Sequence, residues 1–378
     1  MKLIKYKLGD LIRQRRQKND STDLPICGVT RDGFIPPKQQ DADTSLYNVF
    51  YLKDFVFNPA RMELNAIVFN DRYEKAICSS LYEVFYVHRP EVILPEYLAL
   101  LVKQDWFTRY CEFMGSGSAR EYCRVANISE LEIEVPPIEF QAEMARDNQI
   151  IRDRIELKRR INDNLANTEQ AILIETISTN QTAPTALGDL VDFIDGDRGK
   201  NYPTFDEFTS TGYCLFLNAS NVTSTGFNFD TCMFVTEDKD KSMNKGHLSR
   251  NDIVLTSRGT LGNVALYDKH IRYENVRINS GMLIIRPKTM RLSPYFIYAL
   301  LKSSYMKAAI EQFRSGSAQP QLPIKDLQKI TFEIPESDAV LGSLDSQFLS
   351  IEEQISINNN EIDKLKELAG ILLAELSR

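Results

Sequence analysis

Histidine, tryptophan and long apolar runs are scarce in this chain of 378 residues, which has three histidines and one tryptophan. His88, His247 and His270 lie far apart, and Cys27, Cys78, Cys111, Cys123, Cys214 and Cys232 form no C-x-x-C pair. No zinc site is expected, and the cysteines read as free buried thiols. No apolar run is long enough to cross a bilayer, and Met1-Lys2-Leu3-Ile4-Lys5 lacks the apolar segment of a signal peptide. The expectation is a cytoplasmic protein with no membrane partner. An excess of positive charge is also missing: 45 Lys and Arg against 52 Asp and Glu leave −7, a balance that does not advertise a phosphate-backbone binder. Catalytic signatures are absent as well. There is no Gly-x-Ser-x-Gly elbow, no Gly-Lys-Ser/Thr phosphate loop, no Gly-x-Gly-x-x-Gly after a strand and no Asn-Pro-Pro-Tyr-like segment for a flipped base. No catalytic residue and no metal ligand is assigned.

What is present is a duplication. Ser116-Gly117-Ser118-Ala119 recurs as Ser315-Gly316-Ser317-Ala318, 199 residues on, and the apolar positions after it recur at the same spacing: Val125 with Ile324, Ile128 with Leu327, Ile133 with Phe332, Val135 with Ile334. Leu8-Gly9-Asp10-Leu11 is echoed by Leu187-Gly188-Asp189-Leu190, 179 residues on, so the second copy holds 20 more residues, placed between 196 and 250. One long repeat is not a solenoid; it indicates two copies of one domain.

Within each copy, short apolar runs bounded by turn formers indicate strands, among them 49–52, 66–69 and 84–87 in the first and 252–256 and 282–285 in the second. Helical periods over 95–113 and 294–313 each open on a proline, and 131–135 and 329–334 alternate as closing strands. Residues 138–178 contain neither glycine nor proline and carry apolar residues mostly three and four apart, which predicts one helix of roughly 60 Å. A loop over 179–184 leads to the second copy. A second long helix closes the chain, with Ile355, Ile362, Leu365 and Leu372 in a coiled-coil-like seam that holds Asn358. The expected architecture is α+β: domains 1–137 and 181–336, helices 138–180 and 337–378, and the helices paired as an antiparallel coiled coil about an internal pseudo-two-fold axis.

The polar loop residues are the candidates for contact with a ligand. In the first copy they are Arg13, Arg15, Arg16, Lys18, Arg31, Arg61, Ser116, Ser118 and Arg120; in the second, Arg198, Lys200, Asn201, Asn218, Arg258, Thr260, Asn263, Ser315, Ser317 and Gln319. Arg, Lys, Asn and Gln can pair bidentately with base edges and Ser or Thr can hold phosphates, although the same types also make turns and caps. Arg13-Gln14-Arg15-Arg16 is on its own equally a solvated helix end or loop. Arg152, Lys158, Arg159 and Arg160 form a basic cluster on the first long helix, either a docking surface or a solvated face.

Several stretches carry a resemblance: Asp252-Ile253-Val254-Leu255-Thr256-Ser257-Arg258-Gly259-Thr260 with Gly262-Asn263, Arg277-Ile278-Asn279-Ser280-Gly281-Met282, and Ser315-Gly316-Ser317-Ala318-Gln319-Pro320-Gln321-Leu322-Pro323. Phe57-Asn58-Pro59-Ala60-Arg61 and Val135-Pro136-Pro137 add to it in the first half. The chain resembles a specificity subunit of a type I restriction-modification system over essentially its whole length. That family is built of two target recognition domains, each followed by a long helix. The resemblance implies a non-catalytic subunit that reads a bipartite, asymmetric sequence in double-stranded DNA. Its implied partners are two methylation subunits, which bring S-adenosylmethionine, and restriction subunits, which use ATP and Mg; this chain would hold no cofactor of its own. The first copy departs from the second by Arg120-Glu121-Tyr122 in place of Gln319-Pro320-Gln321, so those positions do not share one role. A scaffold that binds proteins through its coiled coil, without reading DNA, is the alternative that the acidic balance allows.

Overall fold

The computed structural model describes residues 3–37, 43–116, 122–289, 291–314 and 321–375. Two compact units divide the chain, Met1–Ile155 with Lys364–Arg378 as unit 1 and Glu156–Asp363 as unit 2.

Unit 1 contains β1 (Ile4–Lys7), β2 (Ile12–Arg15), β3 (Ile26–Thr30), β4 (Gly33–Ile35), β5 (Asn48–Tyr51), β6 (Phe55–Phe57), β7 (Ile67–Phe69), β8 (Lys75–Cys78), β9 (Glu83–Val87), α1 (Pro95–Leu101), α2 (Asp105–Gly115), α3 (Val125–Ser129) and β10 (Glu132–Val135). The strands form sheets of order β2-β9-β6-β7 and β4-β3-β8-β5, and β10 pairs with β1. The first sheet is antiparallel, whereas β3 and β8 in the second run parallel. Alternation along the central strands fills two cores at once. Phe55, Phe57 and Phe85 pack with Leu98 and Phe107 of the helices, while Val56 and Val84 turn the other way to Cys27, Phe50 and Cys78 of the second sheet. Removing a ring such as Phe55, fully buried, costs about 3–5 kcal/mol.

The long helix α4 (Ile138–Thr179) leads from unit 1 into unit 2. There follow β11 (Thr182–Ala186), α5 (Leu187–Leu190), β12 (Val191–Asp195), β13 (Cys214–Leu217), β14 (Val222–Thr223), β15 (Gly226–Phe227), β16 (Phe234–Val235), α6 (Glu237–Ser242), β17 (Ile253–Thr256), β18 (Val264–Leu266), β19 (Val276–Ile278), β20 (Met282–Pro287), α7 (Pro294–Lys302), α8 (Ser304–Arg314), α9 (Ile324–Leu327), β21 (Thr331–Pro335) and α10 (Asp338–Glu375). The sheet β12-β20-β17-β18 repeats the first sheet of unit 1 strand for strand, the parallel pair β13 and β19 repeats β3 and β8, and β11 with β21 repeats β1 with β10. The ladders also fix which residues correspond. Ile12 lies opposite Val87 as Val191 lies opposite Pro287, and Phe55 lies opposite Phe85 as Ile253 lies opposite Ile285. The added residues of the second copy therefore fall between β12 and β17.

Three local expectations change. The single helices over 95–113 and 294–313 are each two helices: Ser303 is extended, and its hydroxyl accepts the backbone N–H of Met306 at 3.2 Å, capping α8 as a new helix. Gln104 is likewise extended between α1 and α2. The loop over 179–184 becomes β11, because the backbone of 182–186 pairs with β21; Pro184 is tolerated on this exposed edge. Arg13-Gln14-Arg15 lies in β2, drawn into the sheet by Ile12, which is 2 % exposed.

Within unit 2 the two long helices run antiparallel. Lys158 Nζ reaches Glu361 at 2.8 Å and Asn358 Oδ1 at 3.0 Å, and four residues further along α4 Asn162 accepts from Asn358 Nδ2 at 2.7 Å. Asn358 is 1 % exposed, so the seam asparagine forms a buried polar layer. Further along, Lys302 of α7 sits between Glu169 of α4, at 2.6 Å, and Glu352 of α10. No helix among the described residues is long and apolar enough to cross a membrane.

Candidate nucleic-acid interface

Strand direction gathers the candidate loops of unit 2 on one rim. β12 and β17 are both antiparallel to β20, so their C-terminal ends lie beside its start. β19 is parallel to β13 and passes through Asn279-Ser280-Gly281 directly into β20, which brings the ends of β13 and β19 to the same edge. Loops 196–201, 218–221, 257–263 and 279–281 thus share that edge. Hydrogen bonds tie them together. Arg198 Nη2 donates to the Ser280 carbonyl and to Asp195 Oδ1, both at 3.2 Å, and the N–H groups of Ser257 and Arg258 donate to the Gly281 carbonyl at 2.8 and 3.1 Å. Arg258 Nε donates to Gln321 Oε1 at 3.1 Å. A Cβ at Gly196 would stand 2.2 Å from the Asn279 carbonyl oxygen, so the close approach of these two loops requires glycine.

The rim is braced from beneath. Asp197, 7 % exposed, accepts from the backbone N–H of Gly199 at 2.6 Å and of Asn244 at 2.7 Å, and these bonds, the Gly199 one foremost, hold its carboxyl below the usual range. Asn201 donates to the Ser242 carbonyl, Asn218 caps the turn at Ser220, and Asn263 Nδ2 donates to the Val222 carbonyl at 3.0 Å. The Thr256 hydroxyl donates to the Thr260 carbonyl across a loop in which Gly259 and Gly262 have φ of +73° and +84°. Arg198, Lys200, Arg258 and Thr260 remain exposed. This arrangement gives a preorganised set of donors on an edge that a polyanion can approach.

Unit 1 builds the same rim from loops 16–18, 31–33, 58–61 and 79–82. Its internal bonds recur. Cys123 N–H donates to the Pro59 carbonyl at 3.0 Å where Leu322 N–H donates to that of Ser257 at 3.1 Å, and Ser79 Oγ accepts from Leu81 N–H where Asn279 Oδ1 accepts from Gly281 N–H. Arg16, Arg31 and Arg61 are exposed on it. Other candidates are already engaged. Arg15 grips Asp54 through two bonds of 2.6 and 3.0 Å between the rings of Tyr51 and Tyr86, and Lys18 donates to the Leu46 carbonyl and to Asn48 Oδ1. Arg13 bonds the carbonyls of Gly9 and Ile12, toward the opposite end of β2 from the rim. Ser116 donates to the Phe113 carbonyl at the end of α2. Ser118, Arg120, Ser315, Ser317 and Gln319 lie outside the described residues. On α4, Arg152 pairs with Asp71 at 3.4 Å, Lys158 is held by Glu361 and Asn358, and Arg159 and Arg160 are exposed.

Sequence reasoning passed over Leu81, Tyr122 and Gln321, which stand at the two rims. Gln321 stood inside a recognised motif, but Leu81 is matched to Gly281 of the other copy only by the strand ladders. Among the described residues, Cys214, Asp240 and His247 bring three metal-ligating atoms within 4.8 Å of one another. Asp240 there is bonded to the buried Arg277 guanidinium, and burial pushes the Cys214 thiol up, so the group is built round a cation it already has.

Comparison with curated proteins gave no match. Residues 182–367 match the family model described as type I restriction modification DNA specificity domain. Among solved structures, the chain is similar to the S subunit of a type I restriction-modification system from M. genitalium, with 17% identity over 99% of this chain and 96% of that one and a TM-score of 0.58. It is also similar to an HsdS subunit from Thermoanaerobacter tengcongensis, with 18% identity over 99% and 96% and a TM-score of 0.37. Residues 182–367 thus match the type I restriction modification DNA specificity domain, and the repeated fold of the chain is similar to that of the M. genitalium S subunit.

Proposed function

We propose that the chain is the non-catalytic subunit that gives a type I restriction-modification complex its sequence specificity, each unit presenting its rim to one half of a bipartite, asymmetric DNA target. The observation that carries this reading is the duplicated rim: the same strand ends and the same bracing bonds present different side chains in the two units, such as Arg258 in one and Ala60 at the matching place in the other. Loops that keep their scaffold and change their outward groups suit two half-sites of different sequence. Arg16, Arg31 and Arg61 in unit 1, with Arg198, Lys200 and Arg258 in unit 2, are the cations proposed for phosphate and base contact; Asn201, Asn218, Thr260 and Asn263 shape the loops that carry them.

The exposed Arg159 and Arg160 of α4, with Arg152, are proposed to face the partner subunits, while Lys158 fixes the helix pair. Two methylation subunits would supply S-adenosylmethionine chemistry, and restriction subunits would supply ATP- and Mg-dependent chemistry. With a net charge of −7, the isolated chain is expected to bind DNA weakly and to gain affinity with its partners. The test is binding of mixed-sequence duplex at rising salt by the chain with and without its methylation partner. A steep loss of affinity with salt supports the reading; salt-independent behaviour, or no retention in either state, favours a protein-binding scaffold.

A further inference from the structure

The strand ladders and the bonds beside them match three rim positions of unit 1 to three of unit 2. Ala60 corresponds to Arg258, one residue beyond the matched carbonyls of Pro59 and Ser257; Tyr122 corresponds to Gln321, one residue before the matched N–H groups of Cys123 and Leu322. Leu81 corresponds to Gly281, since both follow a side chain, Ser79 or Asn279, that accepts their backbone N–H. In unit 2 these positions make one polar group: Arg258 donates to Gln321, and its Cβ would lie 3.7 Å from a side chain added at Gly281. In unit 1 the same place holds alanine, leucine and tyrosine.

Leu81 is 77 % exposed, although the turn beneath it is tightly held. The buried Asn48 donates to the Tyr82 carbonyl at 2.7 Å and to that of Ser79 at 3.5 Å, Lys18 donates to Asn48 Oδ1 at 2.8 Å, and the Ser79 carbonyl accepts Tyr82 N–H at 3.0 Å. Arg124 is close by in the fold, bonded to Glu83 at 3.3 Å with its guanidinium 5.6 Å from the centre of the Tyr122 ring. A single exposed leucine on a surface needs no explanation. This one stands on a fixed turn, on the rim, at the place where the copy has a glycine beside the Cβ of Arg258.

We propose that Leu81 is a specificity-determining residue of unit 1, making an apolar contact with the 5-methyl group of a thymine in the half-site that unit 1 reads. The inference rests on the DNA reading proposed above and deepens it. A guanidinium at Arg258 is suited to guanine O6 and N7, whereas an isobutyl group offers no hydrogen bond and matches the one apolar group on a base edge, the thymine methyl. The two half-sites would then differ at this position for a chemical reason written into the rim.

The test uses the full chain assembled with its methylation subunits and the duplex identified from the methylation pattern the complex leaves in a host genome. Each thymine of the unit 1 half-site is replaced in turn by deoxyuridine, which lacks only the methyl, and binding is compared for the parent and for Leu81→Ala, with Leu81→Met as the conservative variant. The expected result is a roughly tenfold loss from one such replacement in the parent, a similar loss from Leu81→Ala on the thymine duplex, no further loss when the two are combined, and recovery with Leu81→Met. Equal deoxyuridine sensitivity in parent and Leu81→Ala, or unchanged affinity of Leu81→Ala, overturns the proposal. If the parent complex shows no sequence preference for any duplex, the DNA reading itself fails, and the inference falls with it.

Discussion

Asp54 and Asp252 occupy the same place in the two units, each immediately before a central strand and each 1 % exposed, yet they are gripped from different strands. Arg15 reaches Asp54 from β2, whereas Arg286 reaches Asp252 from β20 through two bonds of 2.7 Å. The aspartates also accept matching backbone bonds, from Tyr51 N–H at 2.8 Å and Ser249 N–H at 2.7 Å. A buried carboxylate left without its fork is costly, so Arg15→Ala or Arg286→Ala should destabilise its own unit by about 3 kcal/mol. Arg15→Lys should recover little, because an ammonium cannot make the two-pronged contact and gives up the stacking on Tyr51 and Tyr86. Denaturant unfolding of the variants measures both effects.

Lys302 serves two buried carboxylates, Glu169 and Glu352, one more negative charge than it can neutralise. Burial, with Glu352 adding to it against the pull of Lys302, pushes Glu169 up from its ordinary 4.5 to about 8. A folded-state pKa above the unfolded one means that the native state holds the extra proton. The stabilisation is complete below the unfolded value and is lost as pH rises toward 8. Unit 2 should therefore weaken between pH 5 and 8, and Glu169→Gln, which cannot ionise, should flatten a slope approaching ~1.4 kcal/mol per pH unit. Denaturation midpoints at pH 5, 7 and 8.5 give the comparison; parallel profiles for parent and variant would contradict it.

Asn358 accepts from Lys158 and Gln354 and donates to Asn162, all in the seam of the helix pair. Asn358→Ala strands these partners in a buried layer and should cost about 2 kcal/mol. Asn358→Leu should instead keep or raise the melting temperature while loosening the register, because a buried polar layer specifies alignment at the expense of stability. Thermal unfolding and cross-linking between positions of the two helices separate these outcomes.

On the rim of unit 2, Arg198→Ala and Arg258→Ala should each lower affinity for the recognised duplex by about 1–3 kcal/mol and relax base preference in one half-site. Titration against duplexes mutated in either half measures this, and unchanged preference would remove these loops from the interface.

Much of this fold was legible because repetition is visible in sequence. The Ser-Gly-Ser-Ala segments and the closing prolines set the duplication, the absence of glycine and proline gave α4, and Asn358 stood out in an apolar seam. Other features were hidden by tertiary context. Ser303 ends one helix and caps the next only because its backbone turns extended, and β11 forms only because β21 is there to pair with it. Among the candidate residues, Arg15 looked like any other loop cation until Asp54, 39 residues away, was seen to hold it. Leu81 had no polar signature, and its relation to Gly281 emerges from ladder register, since the spacing between the copies shifts from 198 at β6 to 200 at β9.

The central claim, that two rims of one scaffold read two half-sites independently, is tested most directly by exchanging residues 188–335 for the matching segment of another such chain and sequencing the methylome of a host that carries the hybrid with its methylation partner. The predicted result is a new bipartite methylation motif in which one half is replaced and the other is unchanged. A motif altered in both halves, or unaltered in either, would contradict the account.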